Sequence, residues 1–234
     1  MARSITRRTV LTAVGALALT LKSRTAKASD VPGPLDHLLL GCNDLDKGIA
    51  FVEQKLGVRA AFGGVHPGRG SRNALLALGE RKYLEIIAPD PKQPESADQR
   101  ELHLIKTPKL IGWAAHVDDI EAVKSKLTAA KIGFNPVLAG QRQRPSGQTL
   151  RWKALSLSDD KGGLLPFFIE WSKESPHPST DAPAGCRLEK FEISTPDGLL
   201  AEAKRLELDV SVVKAASSLH AVLSGPGGKL TLPG

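Results

Sequence analysis

Leu35-Asp36-His37-Leu38-Leu39-Leu40 reads as a strand, and Asn43-Asp44-Leu45-Asp46 behind it reads as a helix start. Asn and Asp there offer side-chain oxygens to the free amides of a first helical turn. Ile49, Val52 and Leu56 then recur at helical spacing until Gly57 stops the run. Strand-like runs follow from Arg59 to Phe62, Ala74 to Leu78 and Tyr83 to Ala88. The order is strand, helix, then three strands.

Outward from this stretch the order returns twice, and a repeat of that length is the strongest signal in the chain. From Leu110 a strand runs through Trp113 to Val117, Asp118-Asp119 caps a helix bearing Ile120, Val123 and Leu127, and strands follow near 134–138, 150–157 and 165–171. A third, shorter copy starts at Arg187 and has strands near 210–213, 219–223 and 229–232. The expected organisation is a leader at 1–28, βαβββ units at 34–90, 108–172 and 186–234, and linkers at 91–107 and 173–185. Each sheet needs its helix on one face, so two units side by side form an α+β cup whose floor gathers buried polar groups.

The formal charge of +7 would suggest a polyanion partner, but its position argues otherwise. Residues 1–28 hold Arg3, Arg7, Arg8, Lys22, Arg24 and Lys27 with no acidic residue, which leaves a nearly neutral body and no support for nucleic-acid binding. Arg7-Arg8 precede an apolar run from Val10 to Leu21 too short to span a bilayer, and Ala26-Lys27-Ala28 offers a cleavage site before Ser29. Thr6-Arg7-Arg8-Thr9-Val10-Leu11 resembles the twin-arginine export signal, which implies a periplasmic mature chain with no stable membrane anchor. A general secretory leader is the alternative. Cys42 and Cys186 read as buried apolar-type residues.

Glu85 in Tyr83-Leu84-Glu85-Ile86-Ile87 and Glu170 in Phe167-Phe168-Ile169-Glu170-Trp171 are carboxylates within apolar strands. A buried ionised carboxylate is normally paired, protonated or cation-bound. Aligning the capping residues Asp44 and Asp119 places His37 opposite Gly112, and matching the final strands places Glu85 opposite Glu170. Convergence of His37, Glu85 and Glu170 would suit a divalent ion such as Zn, Fe, Mn or Ni. The competing reading has both glutamates ending their strands on Arg or Lys, with His37 a core residue.

Gly63, Gly64, Gly68 and Gly70 suggest a shaped loop that either presents His66, Arg72 and Asn73 to a substrate or is merely stabilised by them through backbone bonds. Arg142 and Arg144 share one face of a hairpin arm and could grip a carboxylate or phosphate, unless that face is simply solvated. Trp113, Trp152 and Trp171 could line a ligand pocket. His116 is a possible rim residue; His103, His177 and His220 read as structural or exposed.

Leu35-Asp36-His37, Asn43-Asp44-Leu45, Tyr83-Leu84-Glu85-Ile86-Ile87 and Asp118-Asp119-Ile120 resemble the vicinal oxygen chelate superfamily of glyoxalases, extradiol dioxygenases and bleomycin-resistance proteins. The run from Gly64-Val65-His66-Pro67-Gly68 to Asn73-Ala74-Leu75-Leu76, with Pro166-Phe167-Phe168-Ile169-Glu170-Trp171, resembles its glyoxalase-like domain family. The resemblance implies metal ligands on the first and last strands of two paired units, which maps onto His37, Glu85 and Glu170, with Gly112 unable to ligate. It implies a metal-dependent lyase, isomerase or dioxygenase acting on a small oxygenated molecule, with Glu85 and Glu170 catalytic; His66, Arg72, Asn73, Trp113, Arg144 and Trp152 are the residues read above as candidates to surround the substrate. The alternative is a metal-free small-molecule binder of the bleomycin-resistance type.

Overall fold

The computed structural model describes residues 31–144, 147–196 and 199–234. The expected export signal and cleavage site at 1–28 lie outside them. The first unit comprises β1 (Leu35–Gly41), α1 (Leu45–Leu56), β2 (Ala61–His66), β3 (Ser71–Ala77) and β4 (Tyr83–Pro89). A short helix, α2 (Ala97–His103), leads to β5 (Lys109–His116), α3 (Ile120–Ala129), β6 (Leu138–Gln143), β7 (Thr149–Leu155) and β8 (Phe167–Trp171). The last part holds β9 (Arg187–Ser194), α4 (Leu200–Arg205), β10 (Ser211–Val213), β11 (Ser218–Gly225) and β12 (Gly228–Pro233).

Two units share one eight-stranded sheet of order β2-β3-β4-β1-β5-β8-β7-β6, joined by the antiparallel pair β1 and β5. Its edge strands β2 and β6 meet, and the Arg142 guanidinium crosses from β6 to donate to the Gly63 carbonyl in β2. The sheet is therefore a nearly closed cup. Gly63-Gly64 makes that crossing possible: a Cβ on Gly63 would lie 3.0 Å from Arg142 Nη1, and one on Gly64 would lie 2.8 Å from Arg142 Cδ.

The helices form where their caps are encoded. Asp44 accepts from Lys47 N at 2.9 Å to start α1, and Gly57 ends it at φ 73°. Asp119 accepts from the amides of Glu121 and Ala122 to start α3. α1 buries Ile49, Val52 and Leu56, which join Leu38, Leu40, Leu84 and Ile86 in the core. The third unit makes its own four-stranded sheet, β10-β9-β11-β12, and closes this core from outside. Phe191 of β9 meets Trp113 of β5 edge to face at 5.2 Å.

Three segments differ from their expected form. Linker 91–107 contains α2, because Ser96 and Gln99 make a reciprocal capping box. The expected glycine-rich loop is mostly the β2–β3 hairpin, with only 67–70 as its turn. Segment 173–185 is a strap laid over the cup: Arg144 holds the Pro176 carbonyl, Ala77 N donates to the Pro183 carbonyl, and a 3-10 turn spans Pro178–Thr180. Cys42 and Cys186 are free and buried.

Candidate functional site

β1 does not alternate cleanly. The β1–β5 register shifts between Leu35 and His37, and this bulge lets the consecutive residues Asp36 and His37 both address the polar interior. Asp36 Oδ1 lies 2.7 Å from His37 Nδ1, and Asp36 Oδ2 accepts from Trp171 Nε1 at 3.0 Å. The same oxygen lies 3.1 Å from His177 Nε2. Burial opposes ionisation of Asp36, yet the His116 ring 3.5 Å away and hydrogen bonds with His177 and His37 hold its carboxyl far below the usual range. Tyr83 stacks on the His37 ring at 4.5 Å, and Phe167 meets it edge-on at 5.5 Å. His37 is thus fixed with Nε2 directed at Glu85 Oε2, 3.5 Å away.

Glu85 is equally constrained. Its Oε1 accepts from Asn73 Nδ2 at 2.8 Å and faces His66 Nε2 at 3.5 Å. Asn73 Nδ2 also lies 3.3 Å from His66 Nε2, which assigns that nitrogen as an acceptor and places the ring proton on Nδ1, 2.8 Å from Ser71 Oγ. Burial pushes the His66 pKa down, with Arg142 and Arg69 acting the same way against Glu85, so this ring is neutral. Burial alone would raise the Glu85 pKa, but His66, His37, the Asn73 amide and Arg142 together hold it below the ordinary value. An ionised carboxylate therefore sits between two imidazoles, with an orienting partner behind each ring.

The expected residues divide between the two faces of the sheet. His37, His66, Asn73 and Glu85 come together in the cup. Glu170 does not join them: its Oε2 accepts from Ile120 N at 2.7 Å at the start of α3, and its Oε1 takes Lys153 Nζ at 3.3 Å. Register explains the difference. Trp171 reaches Asp36 inside the cup and Phe167 meets His37 there, so alternation along the strand turns Phe167, Ile169 and Trp171 to the cup and Glu170 away from it. Glu170 is one residue out of phase and faces the helix layer.

Trp113 is also a core residue, donating to the Leu164 carbonyl at 2.9 Å, rather than a pocket wall. Arg72 alternates away from Asn73, toward Asp90 and Cys42, where its charge acts. Trp152 meets Trp171 at 5.5 Å on the cup side. Arg144 is buried, with its guanidinium on Asp181 Oδ2 at 2.6 Å. His177, expected to be structural or exposed, is a central partner of Asp36; the only sequence cue is its place among Pro176 and Pro178 in a segment that reads as a linker.

A glyoxalase-like domain model matches residues 35–207 of the sequence. The chain belongs to the glyoxalase-like domain family. No curated protein matches the sequence. Among solved structures, a hypothetical protein from Staphylococcus aureus superposes with a TM-score of 0.59 at 15% identity, covering 85% of this glyoxalase-like chain and 84% of that one. Methylmalonyl-CoA epimerase from Mycobacterium tuberculosis gives 0.45 at 22% identity, over 64% and 93% of the two chains. The epimerase from Streptomyces coelicolor, in complex with 2-nitronate-propionyl-CoA, gives 0.45 at 20% identity, over 62% and 99%. The eight-stranded cup is the fold of this glyoxalase-like domain.

The donor set of this glyoxalase-like chain does not fit a closed metal site. His37 and His66 address opposite oxygens of Glu85 rather than one common point, and Phe167 and Ile169 supply no donor from the second unit. Among the described residues no three His, Cys, Asp or Glu form a metal-holding group. What the arrangement can do with its own atoms is hold and move a proton.

Proposed function

We propose that this chain is an exported enzyme that moves a proton on a small oxygenated molecule bound in the cup. The observation that carries this reading is the ionised, buried Glu85 carboxylate poised between His37 and His66, each ring with its orienting partner. A buried carboxylate that stays ionised and is held in one orientation by Asn73 can serve as a general base for a C–H beside a carbonyl. Glu85 takes the proton as the C–H bond breaks, and the electron pair moves onto the carbonyl oxygen as an enediolate. Glu85 then returns the proton to the neighbouring carbon while the hydroxyl proton passes from one oxygen of the enediolate to the other, an isomerase outcome. Asp36 fixes the His37 ring, and Asn73 fixes the carboxylate. Export rests on the twin-arginine-like leader in the sequence, and periplasmic residence follows from it.

The test is exchange of α-protons for deuterium, followed by proton NMR on a panel of α-hydroxyketones and α-ketoaldehydes. The chain is expected to catalyse exchange of at least one member, and E85Q to lose it. Catalysed exchange that E85Q retains would overturn the role of Glu85. Binding without exchange anywhere in the panel would favour the metal-free binder. One transition ion bound per purified chain, lost on H37A, would overturn a mechanism built on the side chains alone.

A further inference from the structure

Arg142 and Arg144 are both buried, and they differ in what neutralises them. Arg144 has a carboxylate, Asp181 Oδ2 at 2.6 Å, supplied by the strap and itself more than half exposed. Arg142 donates to the Gly63 carbonyl, and among the described residues no carboxylate lies within 4.0 Å of it. A guanidinium has five donors and costs several kcal/mol to bury without a counter-charge. The two cations are close enough to repel one another, and Arg142 also feels Glu85, Tyr83 and Asp181. Nearby, Asn73 Oδ1 is a buried acceptor without a partner among the described residues. The cup thus holds two positive groups, one carboxylate in place on them, and that carboxylate comes from a segment lying across the opening.

We propose that Arg142 and Arg144 form an anion site, that the substrate carries a carboxylate or phosphate group which they bind, and that Asp181 occupies the Arg144 part of this site in the free chain. The proposal deepens the proton-transfer reading by naming the substrate class, and it rests on that reading only for the word substrate. An arriving anion displaces Asp181, takes the Arg144 fork, and brings its second oxygen to Arg142. His177 leaves the cup with the strap, which opens the space beside His37 and Glu85. The Gly63-Gly64 pair serves the same site, because it is what lets the Arg142 side chain lie inside the cup.

Titration calorimetry of the purified chain with malonate, inorganic phosphate and neutral malonamide tests this. Malonate or phosphate is expected to bind and malonamide not, and which anion binds distinguishes a carboxylate substrate from a phosphate ester. D181N removes the internal competitor and is expected to tighten anion binding about tenfold, or about 1.4 kcal/mol. R142Q and R144Q are expected to weaken it at least tenfold, and R142K, which keeps the charge without the fork, to fall between. If R142Q fails to fold, R142K and D181N still decide. Unchanged malonate affinity in R142K and D181N alike, equal binding of malonamide, or no anion binding in either the parent chain or D181N would overturn the proposal. E85Q separates the two readings, since it should keep anion binding while losing proton exchange. Anion binding lost in R142Q while E85Q still exchanges protons would overturn the proton-transfer reading alone.

Discussion

His177 Nε2 and Asp36 Oδ2 lie 3.1 Å apart although 141 positions separate them in the chain. The contact ties the strap to the first strand and completes a buried carboxylate that also serves His37 and Trp171. D36N is therefore expected to cost about 3 kcal/mol or more, because it leaves several buried donors facing an amide. Denaturant unfolding followed by circular dichroism measures it. H177A should cost less and show its effect as faster proteolysis within 173–185, since its loss releases the strap rather than the core.

The two glutamates that look equivalent in the sequence should behave differently. E170Q weakens a carboxylate at the start of α3, where the free Ile120 amide and the helix dipole both favour negative charge, so about 0.5–2 kcal/mol of stability is lost. Proton exchange should be untouched. E85Q is expected to reduce exchange by about 10²–10⁴-fold, the usual worth of a positioned general base. Parallel melts and deuterium-exchange rates on both variants check the contrast.

Acid should both inhibit and destabilise the chain. Asp36 and Glu85 have folded pKa values below their unfolded ones, so their contribution is full above about pH 4.5 and is lost as the pH falls through the folded values. His66 is also lowered; the unfolded chain takes up its proton first, and stability falls as the pH drops below about 6.5. His116 is raised mainly by the Asp36 carboxylate 3.5 Å from its Nδ1 and works in the opposite sense, favouring the fold until the pH climbs through its folded value. Urea midpoints from pH 3 to 8 should therefore rise with pH over the acidic range, and the acid limb of kcat/KM should lie below pH 4.5.

G63A should force the cup rim apart. Its new methyl would lie 2.9 Å from Leu75 Cγ and 3.0 Å from Arg142 Nη1, an overpacking worth about 1–3 kcal/mol. Calorimetric melting should show the loss, and G68A, whose Cβ meets nothing within 4 Å, serves as a comparison in which only backbone strain at φ 76° acts.

Much of this was legible in the sequence, and the failures have definite causes. The caps Asp44 and Asp119 announced α1 and α3, and alternation placed β1, β4 and β9 within a residue or two. The repeat was visible, but its phase was not. Glu85 and Glu170 both sit in apolar final strands, and matching those strands aligned the two, but Glu170 lies between Ile169 and Trp171 on the opposite face from Glu85. Only the strand register reveals which face each residue takes. The proximity of Arg142 to Gly63 depends on the meeting of two sheet edges, and that of His177 to Asp36 on a strap folding back. No local pattern encodes either.

The extra residue at the Leu35–His37 bulge makes the strand intolerant of length change. Deleting one residue there would straighten β1 and turn either its acid or its imidazole toward the hydrocarbon side. Composition would hardly change, yet the cavity chemistry would be dismantled. A deletion scan along β1 should therefore find its sharpest loss at this dipeptide, where side-chain identity and spacing are inseparable.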